Sequence, residues 1–474
     1  MDKSKLTRMR LFVCSFCLLF SSNYLMAQTE DSSFIKRISD EILTNGQAYD
    51  NLRHLTKKIG GRLAGSPGMV KAEQWGLKVM QESGADKAWK QQCMVPHWVR
   101  GGKDIAKASL LQSTKNASKK DASLMTKELD IVALGNSMGT GTKGLNAEVL
   151  EVSSFDELEL KRELLKGKIV FYNYKFNPTY VNTFFAYRDA STYRGSGPSR
   201  AAKYGAVAVI VRSMSHSVDN NPHTGATRYD SNYAKIPAVA IGLRDADWLS
   251  EKLVNQKMSV TLKTNGHFLP DTIGHNIIGE LIGTEFPNEI ITVGGHLDSW
   301  DNCEGAHDDG AGCVQTIEIL RAFKALGYKP KRTIRFVLFA NEENGLKGGN
   351  KYAEEAKAKG EKHIFALESD AGGFTPRSLG FTVSEEQFQK ILQWRDLIAP
   401  YGCSQFNRGG GGADIGPLNR NLGTPVGSFN PDSQRYFDIH HARNDVFEAV
   451  NKRELELGAV NMAAILYLID KYGL

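Results

Sequence analysis

Cysteine is scarce in this sequence. The chain has six cysteines in 474 residues, and the four beyond the N-terminal region are far apart, with no CxxC pair. Closely spaced thiolates are typical of structural zinc sites, so no cysteine-based zinc site is expected. The four are Cys93, Cys303, Cys313 and Cys403. Outside the cytoplasm they could form one disulfide, and free buried thiols are at least as good an interpretation.

The chain also lacks an opening apolar run long enough to span a bilayer comfortably. A basic segment, "MDKSKLTRMR", is followed by the short apolar "LFVCSFCLLF" and by the small and polar residues of "SSNYLMAQ". This order is typical of a secretory signal peptide. We predict a signal peptide over residues 1–27, cleaved after Ala27, and a secreted or periplasmic protein. An uncleaved anchor is the alternative.

A strong charge excess is absent as well. The formal net charge is +6, and the predicted signal peptide contributes +3 of it, which leaves +3 on the mature chain. A charge this small argues against nucleic acid as the main partner. The length suits two or three domains.

Two regions of the chain differ in their patterning. Residues 138–264 contain short β-rich segments such as "GKIVFYNY", "AVAVIVRS" and "IPAVAIG", separated by helical stretches. They are typical of a compact inserted domain. From residue 274 onward strands and helices alternate, which predicts an α/β sandwich with a largely buried sheet. We therefore assign residues 28–137 and 265–474 to one main domain, interrupted by an insert over 138–264.

Three apolar strands of the main domain end in side chains that can bind metal. "IITVGG" leads to His296 and Asp298, "IRFVLFA" leads to Glu342 and Glu343, and "IFALES" leads to Asp370. In open α/β sheets, ligand sites collect at the carboxyl ends of the strands. The pattern predicts that these side chains meet at one edge.

Two other segments add metal-capable groups. Asp308 and Asp309 are adjacent in a glycine-flanked loop, and "IHHARND" supplies His440, His441 and Asp445. Taken singly, an aspartate here could cap a helix and a histidine could lie in the core. Together, so many buried carboxylates are unfavourable without a cation. Histidine and carboxylate ligands without thiolate suit catalytic Zn²⁺, with manganese or cobalt as alternatives, and two ions about 3.5–4 Å apart could share a water.

These segments carry a resemblance to a known family. "GGHLDSWD", "DDGAG", "EEN", "ESDAG" and "HHARND" resemble the motifs of the di-zinc exopeptidases, which include carboxypeptidase Q and bacterial leucyl-type aminopeptidases. The carboxypeptidase Q-like members are the more similar, and the likeness extends to "VPHWVRG", "AEVLEVSSFDEL" and "PHTG". The resemblance implies a three-layer α/β/α aminopeptidase-like catalytic domain with an inserted protease-associated domain, which fits residues 138–264.

The resemblance also implies a set of ligands. Two zinc ions per chain would share Asp308 as a bridge, and Asp298 would orient the first histidine through its other ring nitrogen. A cis bond is implied between Asp308 and Asp309. The remaining ligands would be His296 and Asp370 on one ion, and Glu343 and His441 on the other.

Other assignments rest on the resemblance alone. Glu342 would be the general base, although spacing does not distinguish it from Glu343, nor His440 from His441. His440 occupies a position where the aminopeptidases usually have tyrosine, and it could stabilise an oxyanion there or face the core instead. The glycine run over 409–416 would line the substrate cleft.

The implied reaction is hydrolysis of a dipeptide or short peptide by a secreted zinc exopeptidase. No nucleic acid and no stable membrane insertion after signal cleavage are expected, and a homodimer is compatible with the sequence. Two alternatives are a metal-free binding or receptor protein on the same fold and a one-metal, glutaminyl-cyclase-like acyl transferase. The choice between amino- and carboxypeptidase specificity stays open.

Overall fold

The computed structural model of the protein describes residues 29–111 and 126–474. The predicted signal peptide over residues 1–27 lies outside the described residues. Within them, no helix is both long enough and apolar enough to cross a membrane.

The strands form two mixed sheets of eight strands each. In chain order they are β1 (Lys87–Val99), β2 (Ile105–Leu110), β3 (Lys127–Leu129), β4 (Ile131–Ala133), β5 (Leu145–Val152), β6 (Ile169–Tyr172), β7 (Ala208–Arg212), β8 (Ala238–Ile241), β9 (Met258–Lys263), β10 (His267–Leu281), β11 (Phe286–His296), β12 (Arg332–Phe339), β13 (Lys362–Glu368), β14 (Pro376–Thr382), β15 (Gln405–Arg408) and β16 (Val426–Pro431).

The helices cover both faces of the sheets. They are α1 (29–45), α2 (Ala48–His54), α3 (Pro67–Glu82), α4 (Phe155–Leu160), α5 (Thr183–Gly195), α6 (Gly197–Ala202), α7 (Leu243–Asn255), α8 (Ala311–Ala325), α9 (Glu342–Gly345), α10 (Lys347–Lys359), α11 (Glu385–Leu392), α12 (Arg395–Ile398), α13 (Gly416–Leu422), α14 (Tyr436–Ile439) and α15 (Lys452–Tyr472).

The first sheet, which we call the main sheet, has the order β1-β10-β12-β11-β13-β16-β14-β15. Its four central strands, β12, β11, β13 and β16, are parallel. Alternate residues of β12 point to opposite sides, as the pleat of a strand requires. Phe336 and Leu338 pack in the core below α8 and α15, whereas Val337 and Phe339 pack against α10 and α13. The predicted three-layer α/β/α architecture is therefore confirmed.

The second sheet has the order β3-β2-β9-β5-β6-β7-β8-β4. Five of its strands, β5 to β9, lie within the predicted insert of residues 138–264, but β2, β3 and β4 precede residue 138. The second sheet thus begins earlier in the chain than the predicted boundary. The reason is that β2 pairs with β9 and β4 pairs with β8, partners more than a hundred residues away, so local patterning does not reveal these short strands.

Candidate metal centre

The parallel strands of the main sheet bring their carboxyl ends to one edge. His296 is the last residue of β11, Glu342 and Glu343 follow β12, and Asp370 follows β13. The Nε2 atom of His296 lies 3.4 Å from Oδ1 of Asp370, although the two residues come from different strands. The side chains that were predicted to meet at one edge do so.

Asp308 lies at the middle of the cluster. Its Oδ1 is 3.2 Å from Nε2 of His296, and its Oδ2 is 3.1 Å from Nε2 of His441. The same Nε2 of His441 is 3.1 Å from Oε2 of Glu343. One carboxylate therefore connects two groups of potential ligands, with a different histidine at each of its oxygens.

The neighbouring carboxylate, that of Asp309, has a different environment. Its Oδ2 accepts the backbone N–H of His296 at 3.0 Å, and its Oδ1 accepts that of Gly312 at 2.9 Å. A Cβ at Gly295 would stand only 2.3 Å from the Asp309 carboxylate, so glycine is required there. Asp309 lies close enough to His296 and Asp370 to bind an ion together with them. Each of its carboxylate oxygens, however, already accepts a hydrogen bond from a backbone N–H group. The Asp308–Asp309 bond is cis, as predicted.

The two adjacent glutamates are not equivalent. Glu343 contacts His441, whereas Glu342 lines the cleft and its carboxylate accepts no hydrogen bond within the described part of the chain. Asp298 holds both in place, because its carboxylate accepts their backbone N–H groups at 3.0 and 3.3 Å. Asp298 was predicted to orient His296 through Nδ1 of the imidazole. The backbone carbonyl of Asp298 makes this contact at 3.0 Å, whereas the carboxylate of Asp298 is 3.8 Å from the same nitrogen.

The two adjacent histidines differ in the same way. Nε2 of His441 reaches both Asp308 and Glu343, whereas Nε2 of His440 lies 3.5 Å from Asp308 alone. The His440 ring does not turn into the core: it lines the cleft, stacked on His441 with ring centroids 3.5 Å apart and packed edge-on against Tyr187. Its position allows it to face a ligand beside the cluster.

The cluster concentrates negative charge. Burial raises the pKa of Glu342 well above its ordinary value, and Asp370 and Glu343 raise it further although His296 opposes them. Burial lowers the pKa of His441, but Glu343 and Asp308 outweigh it and hold this pKa well above its ordinary value. The neighbouring carboxylates contribute to both shifts, because a cluster of acidic groups disfavours a further negative charge and favours a positive one.

The donor atoms suit a metal ion. A zinc ion with bonds of 2.0–2.1 Å in a tetrahedron holds its ligand atoms about 3.3 Å apart. The contacts among His296, Asp308, Asp370, Glu343 and His441 are 3.1–3.4 Å. Among the described residues, the buried Oε1 of Glu343 has no hydrogen-bond partner, and Oδ2 of Asp308 has only the two imidazoles of His440 and His441 near it, neither in hydrogen-bond geometry. Buried oxygens without a partner are costly unless a cation meets them.

Two residues that support the cluster were not singled out for this role from the sequence. Asp445 accepts the backbone N–H groups of His307 and Asp308, at 2.8 and 3.2 Å, and so fixes the loop that carries the central carboxylate. Arg62 is fully buried and donates to the carbonyls of residues 297, 304 and 305. The sequence feature that could have drawn attention to Arg62 is its place as the single charged residue of the glycine-rich segment "GGRLAG".

Replacing Arg62 with methionine is expected to lower the free energy of unfolding by about 3–5 kcal/mol, because three carbonyls, two of them in buried contacts, would lose a charged donor. Those carbonyls belong to Leu297, Glu304 and Gly305, at 2.5, 2.7 and 2.9 Å. Urea denaturation followed by tryptophan fluorescence measures the change. Arg395→Met, at an exposed arginine, is the matched control and should change stability by less than about 0.5 kcal/mol. Equal stability of the two variants would contradict the role of Arg62.

A cleft of about 500 Å³ opens onto the cluster. One wall carries the acidic groups and His440. Other lining residues come from the part of the chain that forms the second sheet: α5 contributes Phe184, Tyr187 and Arg194, and the loop after β7 contributes Arg228. The glycine run lines an adjacent opening of about 840 Å³, which shares Asp370 and Phe184 with the cleft.

Comparison with known proteins agrees with this geometry. The model of peptidase family M28 matches residues 276–466. Carboxypeptidase Q of Homo sapiens is 34% identical over 424 residues, which cover 89% of this chain and 85% of that protein. The crystal structure of a peptidase M28 precursor from Shewanella amazonensis is 32% identical, covers 94% of this chain and 97% of that one, and has a TM-score of 0.86. A zinc aminopeptidase from Bacillus subtilis shares the fold, with a TM-score of 0.62 at 22% identity over 89% of this chain and 94% of that one.

Proposed function

This chain belongs to peptidase family M28, and we propose that it is a zinc-dependent exopeptidase that hydrolyses dipeptides or short peptides. The observation that carries the proposal is the position of Asp308. Its two oxygens face two different histidines, His296 and His441, at 3.2 and 3.1 Å, which is the arrangement expected of a carboxylate that bridges two ions.

In this proposal the chain binds two zinc ions. Asp308 would be shared between them. The other ligands would be His296 and Asp370 for one ion, and Glu343 and His441 for the other. The support for this set is the spacing of the donor atoms, 3.1–3.4 Å, together with the unpartnered buried Oε1 of Glu343. Asp298 holds Glu342 and Glu343 in position because its carboxylate accepts their backbone N–H groups.

Bound zinc would supply Lewis acidity, which makes a water molecule easier to deprotonate and a peptide carbonyl easier to attack. Glu342 accepts the proton of the attacking water and passes it to the leaving amine, for which its carboxylate is free of other hydrogen bonds. His440 donates a hydrogen bond to the oxygen of the former carbonyl. Burial holds the pKa of His440 well below its ordinary value, and a zinc ion on the neighbouring His441 would act in the same direction, so the imidazole of His440 is neutral and keeps one N–H to donate.

Export through a signal peptide over residues 1–27 and the assignment of the second sheet to a protease-associated domain are parts of the same proposal. The volume of the cleft, about 500 Å³, lies in the lower half of the range for ligand sites and has room for a short substrate.

Removing the metal tests the proposal. We expect about two equivalents of zinc per chain by elemental analysis, and loss of nearly all peptide hydrolysis after dialysis against a chelator, because the acidic cluster cannot activate water by itself. Free dipeptides, N-blocked dipeptides and aminoacyl amides form the substrate panel, and added zinc should restore activity. Zinc-free protein that still binds peptides without hydrolysing them would indicate a binding protein, and a single equivalent would favour the acyl-transferase alternative.

A further inference from the structure

Two guanidinium groups line the cleft, and their surroundings differ. That of Arg194 is held in the wall: it donates to the hydroxyl of Tyr187 at 2.6 Å and to the carbonyl of Thr224 at 3.3 Å. The same carbonyl lies 3.3 Å from Nδ1 of His441. Arg194 therefore helps to fix the wall beside the cluster, and both of its terminal nitrogens are bonded to neutral groups of that wall.

The guanidinium of Arg228 is free. The residue is exposed, and within the described ranges its side chain has no ion pair, hydrogen bond or aromatic contact, although it lines the same cleft as Asp370 and Glu342. Its backbone, in contrast, is anchored, because its N–H donates to the carbonyl of Gly195 at the end of α5, at 2.9 Å. A long cationic side chain thus lines the cleft from an anchored backbone position and has no partner among the described residues.

We propose that Arg228 binds the free α-carboxylate of the substrate, so that the enzyme prefers peptides whose C-terminus lies one residue beyond the scissile bond. The inference rests on the proposed function. One residue spans about 3.3–3.6 Å, so the carboxylate of a dipeptide whose carbonyl is at the cluster must lie in the same cleft. A guanidinium is well suited to a carboxylate because it offers two parallel N–H donors.

The charges that line the cleft also support the binding of a substrate carboxylate by Arg228. Its four carboxylates, those of Asp308, Glu342, Glu343 and Asp370, would be offset by two divalent ions. Arg194 and Arg228 would then both lack an anionic partner, and of the two only Arg228 is exposed and free of other hydrogen bonds among the described residues. An anionic group of the substrate would pair with this positive charge, whereas a neutral C-terminal amide or an internal peptide bond would not.

The test measures binding separately from turnover. Isothermal titration calorimetry with inactive Glu342→Gln holoenzyme compares alanyl-alanine with alanyl-alanine amide. We expect the free dipeptide to bind about 10–100-fold more tightly, which corresponds to one charged hydrogen-bonded contact. Adding Arg228→Gln should weaken dipeptide binding by that factor and leave amide binding unchanged. Arg228→Lys should keep part of the preference, and Arg162→Gln, at an exposed arginine outside the cleft, should keep all of it.

Other outcomes overturn the inference. A preference for the dipeptide that survives Arg228→Gln, or no preference in the parent, would remove Arg228 from carboxylate binding. Loss of the preference in Arg188→Gln instead would place the carboxylate in the adjacent opening, which Arg188 lines. If the wild-type enzyme showed no zinc-dependent hydrolysis while the Arg228-dependent preference in binding persisted, the proposed function would fail and the carboxylate site would stand.

Discussion

Glu342→Gln is expected to lower kcat about 10²–10⁴-fold, the usual effect of losing a general base, and to leave the zinc content unchanged. Glutamine has nearly the same shape as glutamate but cannot accept the water proton. The Glu342 carboxylate lines the cleft and contacts no proposed ligand, so its removal should not release metal. Steady-state kinetics on a dipeptide, together with elemental analysis of the same preparation, measure both quantities.

Glu343→Gln is the matched control, one residue along the chain. Because Oε2 of Glu343 lies 3.1 Å from Nε2 of His441, this variant should lose about one equivalent of zinc as well as activity. If zinc were lost from Glu342→Gln and retained in Glu343→Gln, the roles of the two glutamates would be exchanged.

His440→Phe is expected to lower kcat about 10²–10³-fold with both zinc ions retained, since one oxyanion donor would be lost. Phenylalanine keeps the stacking on His441 and the packing against Tyr187 but has no N–H. His441→Phe, by comparison, should lose about one equivalent of zinc, because it removes the ring nitrogen that faces Asp308 and Glu343. Kinetics and elemental analysis of the two variants separate the roles.

A well-folded His440→Phe with nearly normal kcat would refute the oxyanion role and leave the ligand assignment intact. Loss of zinc from that variant would instead make His440 a ligand. The distance of 3.5 Å between Nε2 of His440 and Oδ2 of Asp308 is short enough for the two to share an ion, so measuring the zinc content of His440→Phe is a necessary part of the test.

Much of the site could be predicted because its signals are local. A buried strand is an apolar run, and a ligand at its end is a polar side chain at a defined place, as with His296 after β11 and Asp370 after β13. The parallel arrangement of those strands then brings their ends together. The α/β alternation of the main domain is equally local and predicted an α/β sandwich with a largely buried sheet, whereas the three-layer arrangement was implied by the family resemblance.

The start of the second sheet could not be predicted in this way. Strands β3 and β4 have three residues each, and β2 has six. Segments this short have little periodicity of their own. β2 and β4 are strands because β9 and β8 offer them hydrogen bonds across long separations in sequence, and β3 in turn pairs with β2. The same limit applies to Arg62 and Asp445, whose partners lie more than a hundred residues away in the chain.

The sequence by itself determined the class of the fold, the kinds of ligand and the edge of the sheet where they gather, because these depend on residue type and on spacing along single elements. Only the tertiary structure decided which of two neighbours reaches the centre: Glu343 rather than Glu342 contacts His441, and that histidine rather than His440 bridges to Glu343. The members of each pair are of the same residue type and are adjacent in the chain, so neither residue type nor spacing distinguishes them. They differ only in the direction that the packed backbone gives their side chains.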